Sequence, residues 1–347
     1  MTPRRTVFGL GIILIAAWTT SSRAPGEVNG IFAADGQSIS WSHDFTDFKN
    51  LIQSAPAYRI RDMGLAIDPG GWAYWIDSSS SAIRKSSLSG GTIEDVIVGL
   101  QSPTALALDV TGQKLYWGDS SGRVYRAGTD GSDQQLLVAP SSYVIEAIAL
   151  DVANGRMFLA EFGAGDLGRI RSANLDGSDL QQVVSGTSIH PKGIAVDSDG
   201  QQVYWSDQAD SKIHRANYDG SAASIFRNLT VLASCEQACS YSLSIDPVNR
   251  HLYWYYQVNT VASDASQLWQ TSLDEPGGGS NLRLESYTTL DAHTNAAAID
   301  PVNQILYHYS APHNMNLVGT HLQAPYATES VLGHHFSISE AVLDPRE

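Results

Sequence analysis

Cysteine is nearly absent. The 347-residue chain has two, Cys235 and Cys239, with Glu-Gln-Ala between them. Two thiols with no neighbouring Cys or His pair cannot complete a zinc site, and they exclude a disulfide-dense scaffold. Charge is also sparse, at 16% of residues, and one-sided: 21 Lys and Arg stand against 36 Asp and Glu, for a net charge of −15. Such a surface repels phosphate, which excludes nucleic acid and disfavours anionic lipid, while basic proteins and cations stay open as partners. No Gly-x-Ser-x-Gly elbow, P-loop or dinucleotide fingerprint occurs, and no cofactor is expected. Nor is any apolar run long enough to cross a bilayer comfortably.

The longest such run, Val7 to Trp18, follows Arg4 and Arg5 and leads into small and polar residues through Ala24. That is the layout of a secretory signal peptide, so residues 1–24 are expected to be removed and residues 25–347 to form one domain. If uncleaved, the same run would be a membrane anchor. Cleavage removes Arg4, Arg5 and Arg23 and no acid, shifting the formal charge to about −18. Export, to the extracellular space or a periplasm, makes a Cys235–Cys239 disulfide the expected state.

What the chain has in quantity is glycine, 30 residues, and aromatics, including 15 Tyr and 8 Trp. Many short strands joined by tight turns have this composition. The strands repeat. An apolar run ending in Asp recurs at Asp68, Asp109, Asp151, Asp197, Asp246 and Asp300, with a last copy ending at Asp344, and the intervals of 41 to 54 residues match one four-stranded propeller blade. About ten residues after each Asp comes an aromatic strand: Tyr74-Trp75-Ile76-Asp77, Tyr116-Trp117-Gly118-Asp119, Phe158-Leu159-Ala160-Glu161, Tyr204-Trp205-Ser206-Asp207, Tyr253-Trp254-Tyr255-Tyr256 and Tyr307-His308-Tyr309-Ser310. A third strand alternates basic and apolar residues and runs into Asp130-Gly131, Asp176-Gly177 or Asp219-Gly220. Asp-Gly between alternating strands favours a tight hairpin turn, because both residues tolerate positive φ. A lone meander of this kind exposes an apolar face and an edge, so the units must stack radially.

The aromatic strands resemble the Tyr-Trp-Thr-Asp signature of low-density lipoprotein receptor class B (YWTD) repeats, although no copy has the Thr. The resemblance implies an all-β propeller of six four-stranded blades. The ends of the chain suggest seven. Phe32 to Asp35 matches a second strand and Ile39 to Trp41 a third, with no first strand before them, whereas Ser337 to Asp344 is a first strand with nothing after it. Joined, they make a split blade beside six whole units. Seven blades are therefore expected, with six as the alternative.

Residues repeated in every blade occupy equivalent places around a ring, and they suit packing better than a single site. Asp68, Asp109, Asp151, Asp197, Asp246 and Asp300, with Trp75, Trp117, Trp205 and Trp254, are accordingly read as structural. Function is sought where the repeats differ. Five positions before each anchor Asp stand Met63, Thr104, Glu146, Lys192, Tyr241, Asn295 and Ser339. In the propellers that the chain resembles, this position rings the channel mouth. The mixed chemistry suits recognition of an irregular surface, a protein segment or a glycan, more than coordination of one ion. The alternative is a divalent-cation-dependent hydrolase or lactonase on the same face, drawing on Glu146 and Asn295, against which the Lys192 charge works. No catalytic residue or metal ligand is assigned, and a monomer is expected.

Overall fold

A computed structural model describes residues 31–35, 38–42, 49–53, 60–87, 92–229, 242–259, 264–274, 282–288, 297–300, 305–310 and 316–321, with side chains for 64–87, 92–229, 242–254 and 269–274. Every regular element among them is a β-strand, and no helix among them is long and apolar enough to cross a membrane.

Five four-stranded antiparallel meanders follow one another. The first blade comprises Ile60–Asp68, Trp72–Asp77, Ala82–Ser87 and Glu94–Ile97; the second comprises Pro103–Asp109, Lys114–Asp119, Val124–Gly128 and Gln135–Val138. The third runs through Tyr143–Asp151, Arg156–Gly163, Leu167–Asn174 and Gln181–Thr187, and the fourth through Pro191–Asp197, Gln202–Asp207, Lys212–Asn217 and Ser224–Asn228. Leu243–Asp246, His251–Asn259, Asp264–Ser272 and Leu282–Thr288 make the fifth. Two sheets have three strands, Ile31–Asp35 with Ser38–Ser42 and Lys49–Gln53, and Ala297–Asp300 with Ile305–Ser310 and Asn316–His321. A parallel bridge, Met63 to Ala105, joins the first two blades.

This corrects the blade count. Five four-stranded blades are present among the described residues, neither seven nor six. The first strands neighbour each other in succession, and Ala297–Asp300 lies directly against Ile60–Asp68, with no further first strand between them among the described residues. At the N-terminus the expected second and third strands do pair, Phe32 opposite Trp41, but Ile31–Asp35 lies against Asn316–His321. The expected closing strand, Ser337 to Asp344, lies outside the described residues.

The aromatic strand explains how the blades hold together. Its side chains alternate between sheet faces, as any strand's do. Trp117 packs with Ile76, Ile83 and Ile97 of the preceding blade, whereas the adjacent Tyr116 packs with Ile145, Met157 and Leu159 of the following one. Trp205 likewise turns back to Phe158 and Ile170, and Tyr204 forward to Leu252 and Trp254. A Tyr-Trp dipeptide therefore serves two interfaces at once. These second strands are buried along nearly their whole length, covered on both faces. Burial fades outward, and the fourth strands expose Leu136 and Ile225.

The anchor Asp closes the first hairpin. Asp109 Oδ1 accepts from the Gly112 N–H at 2.7 Å and Asp68 Oδ1 from the Gly70 N–H at 2.8 Å. The chain after it also ties down the blade behind. The Tyr218 hydroxyl donates to Asp151 Oδ2 at 2.8 Å, and Arg250 reaches both Asp197 oxygens, at 3.2 and 2.9 Å. Burial and the Asp151 charge hold the Tyr218 phenol above the usual tyrosine range.

The Asp-Gly pairs form tight hairpin turns in which the glycine bears the unusual conformation. Gly131, Gly177 and Gly220 alone take positive φ, +85°, +84° and +82°, while the Asp before each stays outside that region. The Gly131 N–H bonds the Gly128 carbonyl, and the Gly128 N–H bonds Ser132, which makes a three-residue turn ending in a glycine bulge. The Asp130 carboxylate caps the Ser132 N–H at 3.0 Å instead of adopting the left-handed region. Glycine is required twice, because a Cβ on Gly131 would also strike the Val96 carbonyl of the preceding blade.

Candidate functional site: the front face

First and third strands begin at one face of the ring, here called the front. On each first strand the pairing slips as it enters. Register jumps from Ile60 to Leu65, from Pro103 to Ala105, from Ile145 to Ala147 and from Pro191 to Ile194. Met63, Thr104, Glu146 and Lys192 fall inside those jumps. A bulged residue leaves the ladder unpaired with its partner strand, which re-aims its side chain, and bulges collect where proteins bind or react.

The four positions do not act alone. The Thr104 hydroxyl donates to the Ile145 carbonyl of the next blade at 2.6 Å, and Lys192 Nζ donates to Glu146 Oε2 at 2.9 Å. Both charged groups are partly exposed, so each neutralises the other in a position still open to a ligand. Met63 is placed by its backbone alone, opposite Ala105. Tyr241, Asn295 and Ser339 lie outside the described residues, as do Cys235 and Cys239.

Sequence reasoning missed a second group beside Glu146 and Lys192. The third blade's second and third strands extend past those of the other early blades at this face, and they bring Phe162 and Arg169 to the rim. The Arg169 guanidinium lies 3.7 Å from the Tyr143 ring centroid, a cation–π contact. Phe162 stacks on His190 at 3.5 Å between centroids. Burial, and then the Lys192 charge, push the His190 imidazole down to about 4, so it is neutral at physiological pH. All four side chains are partly exposed. The available signal was the departure of Phe158-Leu-Ala-Glu161-Phe162 from the aromatic motif, but only the fold shows that Phe162 meets a residue 28 positions away.

The residues read as structural sit in the frame. Asp109, Asp151, Asp197 and Asp246 are buried, as are Trp75, Trp117, Trp205 and Trp254. Asp68 is half-buried, and Asp300 ends a strand whose side chains lie outside the described set.

Second strands end at the front in a second acid. Asp77 is bound by Ser79 and Ser80 and by Arg84 at 3.3 Å. Asp119 is met by Ser121 and Arg123, and Glu161 is gripped by both Arg169 and Arg171. Asp207 differs. It accepts from the backbone N–H groups of His190 and Ala209, and burial holds its carboxyl above the usual range.

No family model matches the chain. A 97-residue stretch is 37% identical to low-density lipoprotein receptor-related protein 5 of mouse, and a stretch of the same length and identity matches the human protein. It covers 27% of this chain and 6% of the relative, so the likeness concerns a small part of a much longer protein. Among solved structures, one from a nidogen/laminin complex superposes with a TM-score of 0.53 at 23% identity, over 68% of this chain and 88% of that one. Regucalcin, a calcium-binding protein of Agrobacterium tumefaciens, gives a TM-score of 0.57 at 15% identity, over 75% and 90% of the two chains. At such identities the structures speak to the fold alone, a propeller. Taken with the repeated aromatic motif and the matched stretch, they support a β-propeller that resembles the low-density lipoprotein receptor class B, YWTD-repeat type.

Proposed function

We propose that the chain is a non-catalytic recognition module that binds a segment of another protein at its front face, outside the cytoplasm. The observation that carries this reading is the run of bulges that lifts Met63, Thr104, Glu146 and Lys192 out of the sheet ladder while the remaining strand positions repeat. The adjoining Tyr143, Phe162 and Arg169 are of the residue types that dominate protein-binding hot spots. A solved relative in fold comes from a nidogen/laminin complex, which fits a protein partner. The signal-peptide reading of residues 1–24 supports an exported chain, and a Cys235–Cys239 disulfide would accompany export.

A cation-dependent hydrolase on this face has weaker support. The Lys192 ammonium holds the Glu146 carboxylate that such a cation would need.

A photo-crosslinking residue at Thr104 or Tyr143 of the exported chain is expected to capture a discrete partner that the same residue at Val152, on the opposite face, does not. Capture from both faces alike, or from neither, would sink the proposal. Binding to a glycan array that Tyr143→Ala abolishes would instead change the ligand class from protein to glycan.

A further inference from the structure

At the front rim of the fourth blade three side chains converge, of which only Asp207 touches the aromatic patch, through the His190 backbone N–H. Asp207 ends the second strand, Asp210 lies in the following turn, and His214 sits in the third strand. One donor atom from each lies within 4.8 Å of the other two. His214 Nε2 stands 3.2 and 3.1 Å from the two Asp210 oxygens. Trp205 stacks on the imidazole at 5.4 Å between centroids, which fixes the plane of the ring.

The other blades show what is unusual here. Opposite the Trp75 and Leu159 positions of the second strand stand Arg84 and Arg171, and each reaches its blade's buried carboxylate. Opposite Trp205 stands His214. Asp207 is 2% exposed, yet among the described residues it pairs with no arginine or lysine. Lys212, which begins the third strand, turns its ammonium to Asp210 instead, at 2.9 Å. The fourth blade thus keeps the buried acid, loses the guanidinium and gains an imidazole and a second acid.

We propose that Asp207, Asp210 and His214 form a binding site for a divalent first-row transition ion, with zinc as the probe. One imidazole nitrogen and two carboxylate oxygens are ligands for such an ion, at about 2.0–2.2 Å each in a tetrahedral arrangement. Ligand atoms in that arrangement are about 3.3–3.5 Å apart; His214 and Asp210 already stand near that spacing, and Asp207 lies within 4.8 Å of both. Calcium would ask for six or more oxygens, which this cluster does not supply. The fourth position opens at the rim, where water or a partner's side chain completes the shell. Lys212 competes for Asp210, so the ion must displace an ammonium. The site stands apart from the recognition reading and does not depend on it.

The test is calorimetric titration of zinc into the metal-free full-length chain, with cobalt absorption as a report of ligand geometry. One ion per chain and a rise in melting temperature are expected. His214→Ala should weaken binding roughly tenfold or more, and Lys212→Met should tighten it, while His251→Ala should change nothing. Zinc held equally well by His214→Ala, or lost in His251→Ala, would overturn the site. If His214→Ala does not fold, Lys212→Met still decides: unchanged affinity in that variant means that Asp210 is not a ligand.

Discussion

In the third blade the acid that ends the second strand, Glu161, lies between Arg169 and Arg171; in the fourth, Asp207 at the same place rests on two backbone N–H groups and faces His214. Both acids are buried, and both blades have the same four strands. A buried charge must be compensated, and the two blades do so with permanent guanidinium charge in one case and with neutral donors in the other. The frame therefore fixes where an acid stands without fixing what neutralises it. The same freedom shows at the other face, where buried Asp151 takes a tyrosine hydroxyl and buried Asp197 a guanidinium.

The largest effect should come from breaking the third blade's solution. Arg171→Leu leaves Glu161 buried with a single guanidinium, at an expected cost of about 3–5 kcal/mol. The corresponding change in the fourth blade, His214→Leu, should cost about 1 kcal/mol or less, since no buried charge loses its counter-ion. Urea melts of both variants in chelator check the contrast, and equal losses would show that the two acids are compensated alike.

A smaller effect is expected where these two blades clasp each other. Tyr218→Phe removes the hydroxyl that bonds Asp151 and should cost about 2 kcal/mol at neutral pH. The folded phenol titrates above its unfolded value of 10.0, so its contribution is complete below that pH and is lost as pH rises beyond it, when only the unfolded chain ionises. The deficit of Tyr218→Phe relative to the parent should accordingly narrow above about pH 10. Melts across pH 8–11 would expose a deficit that stays constant.

The smallest effect belongs to the pair that bridges the same blades at the front. Replacing both Glu146 and Lys192 by Ala should change stability by less than about 1 kcal/mol, as for exposed pairs generally. A larger loss by thermal melt would assign the pair to the frame and not to ligand contact.

Much of the frame was legible in the sequence. The Asp anchors and the Tyr-Trp dipeptides mark first and second strands because one alternation of side chains must serve two interfaces, as Tyr116 and Trp117 do. The blade count was not legible. Phe32 and Trp41 carry strand chemistry, but nothing local tells a strand which sheet edge it will meet, and theirs lies against Asn316–His321. The Asp-Gly turns were legible too, although not that Asp130 would use its carboxylate on the Ser132 N–H and leave the positive φ of the pair to Gly131. Counting back from the anchors picked out Thr104, Glu146 and Lys192, which lie in the bulges at one face. It could not foresee that Glu146 and Lys192 meet, nor that Phe162 stacks on His190, since both contacts cross from one blade to the next.

The glycine turns at the back have a consequence for how the chain can vary. Gly131, Gly177 and Gly220 each sit so close to the preceding blade that a single carbon would meet Val96, Leu137 or Val183. An inserted residue there would wedge two blades apart, and the strain would pass around the ring. At the front the neighbours vary: a carbon on Gly122 would strike the Tyr143 carbonyl of the following blade, whereas one on Gly165, in the loop between the third blade's extended strands, would meet nothing. Tolerance to insertion is thus concentrated in that extended loop, from which new binding surface can be grown while the back turns stay locked in step.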